Sequence, residues 1–377
     1  MSIAAGVLFG IYSLLTAVRA ILSWGYLGRR ARHPAPSVDL AEVTVLQPIL
    51  SGDPTLAACL SGNLSLTPEA RFLWLIDEDD LEARAIAESL APPPRVRVVL
   101  GPPPRDGENP KVAKLARARP LVETRYLAVL DDDTVLPSGG LARAVSSLVT
   151  GGLATGLPIY VNKANGWSRL VSGFVNGSAL LTYPAASMVG AARTINGMFY
   201  VAELAQLSRA GGFEAIRGSL TDDYAIASLF RGMDAPIIQT DVLHPISTSV
   251  TGAGHYFGIM RRWMIFGSRY LRENRSLFSL VLILIPTLLP PVLLAVGLAA
   301  GWLWALGALA LLALKAGANR LLRRRLGGPA GNVTDLAYEA AADLLTPFHI
   351  IFALVSPNRF NWRRRRIRMS DDRITYE

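Results

Sequence analysis

The apolar positions of this chain follow two different rhythms. Residues 3–25 are almost wholly apolar, interrupted by Arg19, and a run of that length matches the roughly 20 residues a helix needs to cross a bilayer. No basic residue precedes it and Arg29-Arg30 follows, the reverse of a secretory signal, so residues 1–28 are read as a transmembrane helix rather than a cleaved leader. Its N-terminus is expected outside and its exit on the cytoplasmic side. Residues 33–40 read as a short linker. Between 40 and 250 short apolar runs alternate with helical patterns. Strands are predicted at 43–49, 71–76, 95–100, 125–130, 153–160, 194–201 and 236–242. Helices are predicted at 54–61, 80–90, 111–121, 138–149, 166–182, 203–209 and 222–231. That alternation predicts an α/β domain with a mostly parallel, doubly wound sheet and helices on both faces.

The rhythm changes again after residue 250. A basic amphipathic stretch over 251–275 carries Arg261, Arg262, Arg269, Arg272 and Arg275. Residues 276–318 then run without charge as far as Lys315, long enough for two membrane helices, with a kink predicted at Pro286, Pro290 and Pro291. A last apolar stretch, 333–357, has Asp335, Glu339 and Asp343 four residues apart, an acidic helical face. Basic segments flank it on both sides, so an interfacial or re-entrant helix is expected, followed by a basic cytoplasmic tail over 358–377.

Composition agrees with a membrane protein: 51% of residues are hydrophobic and the formal charge is +9. The charge gathers at the edges of the apolar segments, in Arg29 to Arg32, Arg320 to Arg325 and Arg363 to Arg366, where it can hold anionic headgroups. No nucleic-acid-binding motif accompanies it. The single cysteine, Cys59, cannot form an internal disulfide, in keeping with a domain in reducing cytosol.

The candidate chemistry is acidic. The run Tyr126 to Leu130 ends in Asp131-Asp132-Asp133, and open α/β sheets bind ligands at such strand ends. Asp131 and Asp133, two apart near a turn, can both reach one hard cation, although Asp is also common in plain turns. Asp77 to Asp80 follows an earlier strand, and Asp222-Asp223-Tyr224 opens a helix, where acids are favoured for capping reasons as well. The C-terminal ends of successive strands are expected to carry Asp77, Asp131 and the Asn196-Gly197 turn into one crevice. Arg261-Arg262-Trp263 offers phosphate-pairing guanidinium groups and an indole wall, or else a membrane-surface belt.

The succession Asp77, Asp131-Asp132-Asp133, Thr221-Asp222-Asp223-Tyr224 and Arg262-Trp263 resembles the D, D, D, (Q/R)xxRW signature of inverting, family 2-like glycosyltransferases with the GT-A fold. More narrowly it is similar to ceramide glucosyltransferases. The likeness extends through Leu46-Gln47-Pro48-Ile49, Asn109-Pro110-Lys111, Gly156-Leu157-Pro158 and Arg209-Ala210-Gly211-Gly212. Two departures bear on the acceptor: Ile259 stands at the first position of (Q/R)xxRW, and the second acidic site reads Asp-Asp-Asp. The resemblance implies a Rossmann-like GT-A catalytic domain between an N-terminal transmembrane helix and C-terminal membrane helices. Asp77 would bind the uracil or ribose, and Lys111 would lie against the nucleotide. Asp131 and Asp133 would hold Mg2+ or Mn2+ on the diphosphate of a UDP-sugar. Asp223 would be the general base, with Asp222 the alternative, and Arg262 and Trp263 would steady the diphosphate and cap the site. His244 is either a further metal ligand or a structural histidine. The implied acceptor is a membrane lipid such as ceramide, with hopanoid and diacylglycerol as alternatives, and the catalytic domain faces the cytoplasm of a bacterial inner membrane. A processive polysaccharide synthase and an inactive scaffold of the same fold are the rival readings.

Overall fold

The computed structural model describes residues 2–31, 38–356, 359–362, 365–370 and 373–376. Most of the linker expected at 33–40, and Arg32, Arg363 and Arg364 of the basic clusters, lie outside the described residues. Seven strands form one sheet: β1 (Val43–Pro48), β2 (Arg71–Asp77), β3 (Val96–Gly101), β4 (Tyr126–Leu130), β5 (Leu153–Tyr160), β6 (Phe199–Glu203) and β7 (Ile237–Ile246). Their order is β3-β2-β1-β4-β6-β5-β7. The first four are parallel, while β6 runs antiparallel to both β4 and β5. This is the mixed α/β, mostly parallel arrangement expected from the alternating pattern.

The chain divides into two compact units. The sheet unit comprises Pro34–Pro158, Ala192–Ser249 and Pro357–Glu377. Its strands are apolar on both faces because each face is covered by helices. Val45, Trp74, Ala128, Leu130 and Val201 pack to one side with Leu56, Leu60 and Leu141. Leu46, Leu75, Leu127, Val129 and Tyr200 pack to the other with Val112, Leu115, Ile226 and Phe230. The alternation of β4 between the two clusters is the two-residue period of a strand. Three further strands, β8 (Arg359–Trp362), β9 (Arg365–Ser370) and β10 (Arg373–Tyr376), form an antiparallel sheet within the segment read as a basic tail. Tyr376 ties it to the loop after β3: its N–H donates to Asp106 Oδ1 and its hydroxyl to the Glu108 carbonyl, each at 2.8 Å.

The helical unit comprises Met1–His33, Ile159–Ala191 and Val250–Ser356. Among the described residues, four helices are long and apolar enough to cross a membrane: Ser2–Arg30, Ser279–Ala300, Trp302–Arg325 and Val333–Val355. Arg19 is accommodated in the first of these by donating to the Leu181 carbonyl at 3.2 Å and the Thr182 hydroxyl at 2.7 Å. The helix predicted at 166–182 is two helices, Gly166–Asn176 and Ala179–Met188. The first ends where Asn176 turns its side chain to the Tyr160 N–H and carbonyl, both at 2.9 Å. The backbone widens to a π-helix over Ser279–Leu284, directly before Pro286, whose ring would crowd the carbonyl one turn earlier in an α-helix. Val333–Val355 is one continuous helix, and its acidic face is turned to bases of other helices and loops. Lys163 meets Asp335 at 2.5 Å, Arg323 meets Glu339 at 2.8 Å, and Lys315 meets Asp343 at 2.5 Å.

Candidate active site

The site is built where β4 ends. Asp131 follows the last residue of β4, and its N–H donates to the Met198 carbonyl at 2.9 Å. Because β6 is antiparallel to β4, the turn Asn196-Gly197 precedes β6 and still reaches this edge. The sequence reading puts this turn at the C-terminal end of a strand and a strand over 194–201; the structure corrects both, with the turn standing before β6. The strand begins five residues later because Asn196 closes the turn, its Oδ1 accepting the Met198 N–H at 3.3 Å. The three aspartates diverge in role. Asp132 is buried and accepts the Leu50 N–H at 2.8 Å. Asp133 accepts the Thr248 hydroxyl at 2.6 Å. Asp131 Oδ1 meets the Lys111 ammonium at 2.7 Å.

Lys111 is the hub of the arrangement. It sits in the first turn of helix Pro110–Ala118, whose start is set by Asn109: that side chain accepts the N–H groups of Lys111 and Val112, and Pro110 occupies the first helical position. From there the ammonium reaches Asp131, the Asp222 carboxylate at 3.0 Å and the Gly197 carbonyl at 2.6 Å. Burial works against its charge, but Asp131 and Asp222 outweigh burial and hold its pKa well above the ordinary lysine value. One ammonium serves two carboxylates, so negative charge is left in excess. Accordingly burial raises Asp131 to about 6, with Lys111 opposing the rise and Asp133 adding to it.

Asp223 lies one residue further along helix Asp222–Arg231. Burial, then the charge of Asp222, raises its carboxyl to about 7. A side chain at position 197 would crowd it, since a Cβ there would lie 3.1 Å from the Asp223 Cβ. Glycine at 197 is thus what allows the turn and the helix start to meet. Asn109 also joins the two loops: its amide donates to the carbonyls of Ser219 and Leu220, immediately before Thr221.

Asp77 ends β2 and is buried against Lys114, at 3.3 Å. The Lys114 ammonium also donates to the Ile49 carbonyl at 2.6 Å, and burial lowers its pKa although Asp77 opposes the shift. His244 pairs through Nε2 with Asn196 Oδ1 at 3.1 Å and is fully buried, so burial depresses its pKa to about 3. It holds the Asn196-Gly197 turn. Arg262 and Trp263 belong to the helical unit, on helix Ala253–Glu273. There Trp263 packs edge-on to Tyr160 at 5.8 Å and stacks on Phe174 at 5.7 Å. Ile259 is buried, consistent with an apolar residue at that position of the motif.

The roles of Asn109, Lys114 and Thr248 escaped sequence reading. Asn-Pro at the start of a helical pattern is a capping signature, and Lys111 and Lys114 are three apart, hence on one helical face. Thr248 carries no comparable signal.

Among the described residues, no three His, Cys, Asp or Glu side chains gather to hold a metal by themselves. The donor set does suit a hard divalent cation that keeps most of its ligands from substrate and water: Asp131 and Asp133 offer carboxylate oxygen, in a cluster with excess negative charge.

Residues 2–375 match the profile of glycosyl transferase family 21. A comparison with curated proteins finds no significant match. Among solved structures, the mannosyltransferase PcManGT from Pyrobaculum calidifontis, in complex with GDP-Man and Mn2+, is similar over 90% of this chain and 99% of its own, at 18% identity and a TM-score of 0.44. Glucosyl-3-phosphoglycerate synthase from Mycobacterium tuberculosis, in complex with Mn2+, UDP and phosphoglyceric acid, is similar over 62% of this chain and 84% of its own, at 16% identity and a TM-score of 0.36. With nearly its whole length matched, the chain belongs to glycosyl transferase family 21 and is a glycosyltransferase.

Proposed function

We propose that this glycosyltransferase moves a hexose, glucose in the first instance, from a UDP-sugar to the hydroxyl of a membrane lipid of the ceramide type, with inversion at the anomeric carbon. The observation that carries the reading is the cluster at the β4 edge. Lys111 ties Asp131, Asp222 and the Gly197 carbonyl together beside Asp223, whose carboxyl is raised by burial and by the charge of Asp222. A general base works best with a pKa near the working pH, and the upward shift of Asp223 is in that direction. As the acceptor oxygen bonds to the anomeric carbon on one face, the bond to the diphosphate oxygen breaks on the other, and the hydroxyl proton passes to Asp223. A single displacement of this kind turns an α-linked donor into a β-glycoside.

Asp131 and Asp133 are the residues that would hold Mg2+ or Mn2+, which when bound offsets charge on the departing diphosphate. Lys111 keeps Asp131 and Asp222 in place and brings a fixed positive charge to the same edge. Asp77, braced by Lys114, is assigned to the nucleoside. For Arg262 and Trp263 the motif resemblance alone is the support: a guanidinium is a good bidentate partner for a diphosphate, and an indole offers an apolar surface. A lipid acceptor is supported by the four apolar helices carried by the same chain, with the catalytic unit on the cytoplasmic face of the inner membrane.

The test is UDP release by the full-length protein in liposomes containing ceramide, with UDP-glucose and Mn2+ or Mg2+ supplied. Release that requires both lipid and metal is expected. Lipid-independent release coupled to polymer formation would instead establish a polysaccharide synthase. No release with any UDP-sugar, lipid or metal would leave the scaffold reading.

A further inference from the structure

The residues that follow β7 are three consecutive hydroxyl side chains, Ser247-Thr248-Ser249, and the last two donate to two carboxylates. The chain is first laid along the segment after β4: Val135 N–H donates to the Pro245 carbonyl at 2.9 Å, Thr134 forms an isolated bridge with Ile246, and Ser247 N–H donates to the Asp133 carbonyl at 2.8 Å. Thr248 then places its hydroxyl on Asp133 Oδ2 at 2.6 Å, the short distance of a bond to a charged acceptor. Ser249 gives both its N–H, at 2.8 Å, and its hydroxyl, at 3.1 Å, to Asp53. Asp53 is itself fixed by the Thr55 N–H at 2.9 Å and the Thr55 hydroxyl at 2.8 Å. That hydroxyl also lies 3.3 Å from the Ser247 carbonyl, which closes the loop.

A strand end needs only its backbone groups satisfied. Here the backbone of Ser247 is satisfied, and the hydroxyls of the next two residues are spent on carboxylates in addition. We infer that Thr248 is a positioning residue for Asp133: its hydroxyl, held in register by the anchoring of Ser249 on Asp53, fixes the Asp133 carboxylate for the divalent cation of the donor complex. The inference rests on the reading of Asp133 as a metal ligand. Ligating carboxylates are normally hydrogen-bonded from behind, and loss of such a partner typically weakens metal binding about 10–100-fold.

The experiment measures Mn2+ binding directly, by the electron paramagnetic resonance signal of free Mn2+, on full-length protein with UDP present. Thr248→Val keeps the shape and removes the donor. The Mn2+ dissociation constant should rise about tenfold or more, while the melting temperature and the turnover at saturating Mn2+ stay near wild type. Thr248→Ser should restore wild-type affinity. An unchanged Mn2+ dissociation constant in Thr248→Val, or an equal weakening in Thr248→Ser, would overturn the inference. If Thr248→Val does not fold, Thr248→Ala carries the same comparison. Asp133→Asn separates the two layers of reasoning. Mn2+ binding that survives Asp133→Asn removes the ligand reading and the inference with it. Mn2+ binding lost in Asp133→Asn but untouched in the Thr248 variants removes the inference alone.

Discussion

Asp223→Asn is expected to trade activity for stability. Burial, and after it the neighbouring charge of Asp222, lifts the Asp223 carboxyl from 3.8 to about 7. At 1.36 kcal/mol per unit, roughly three units mean that ionising this group costs the fold about 4 kcal/mol. Asp223 is half-buried, and solvent screening brings the figure to about 2 kcal/mol. The sign follows from proton binding. Between pH 3.8 and about 7 the folded chain holds this proton more tightly than the unfolded chain, so the penalty grows with pH and is complete above about 7. Asparagine has no charge to lose. Its advantage is therefore about 40% of its full value at pH 5 and complete at pH 8, where about 2 kcal/mol corresponds to roughly 4–8 °C in melting temperature for a unit of this size. Thermal unfolding of both proteins in detergent at the two pH values, run beside UDP release, reads both effects. A melting temperature that does not rise at pH 8 would refute the electrostatic argument. Near-normal turnover in the variant would refute Asp223 as the base.

Other expectations concern the parts that hold the site. Asn109→Ala removes a helix cap and leaves the Ser219 and Leu220 carbonyls without their donor; a loss of about 1–3 kcal/mol is expected, with a raised KM for the UDP-sugar, checked by denaturation and steady-state kinetics. His244, with its pKa depressed from 6.5 to about 3, binds fewer protons folded than unfolded. Its contribution is full above pH 6.5 and is lost as pH falls towards 3, by about 1.4 kcal/mol per unit. Denaturation of wild type and His244→Gln at pH 7 and pH 5 checks this, and equal pH dependence in the two would count against it. In the helical unit, Gly173→Ala would set a Cβ 2.5 Å from the Tyr338 carbonyl oxygen, where helices Gly166–Asn176 and Val333–Val355 cross closely. A loss of about 1–3 kcal/mol is expected there, and an unchanged melting temperature would argue against so close a crossing.

What could be read from the chain alone follows the range of the interaction concerned. β4 and its acidic end were legible because a buried strand and the carboxylates after it are adjacent in sequence. Lys111 stands out in the sequence through the resemblance, but its bonds to Asp131, Asp222 and Gly197 join four separate segments. No local pattern encodes such a meeting. The direction of β6 was hidden for the same reason, since an antiparallel strand has the same apolar rhythm as a parallel one. The acidic face of Val333–Val355 is readable, and with the flanking basic segments it reads as an interfacial or re-entrant helix; its partners Lys163, Lys315 and Arg323 are not readable, because they lie far off in sequence. The strands within 359–376 were masked by their arginine content, which resembles an unstructured basic tail.

The central claim, sugar transfer to a membrane lipid, is tested most directly by mass spectrometry of lipids from membranes incubated with UDP-glucose, with the wild-type chain and with Asp223→Asn. One new lipid class, heavier than its precursor by a single hexose, β-linked, and absent with Asp223→Asn, is the predicted result. An unaltered lipid profile while UDP is released, or a hexose polymer in place of a glycolipid, would contradict it.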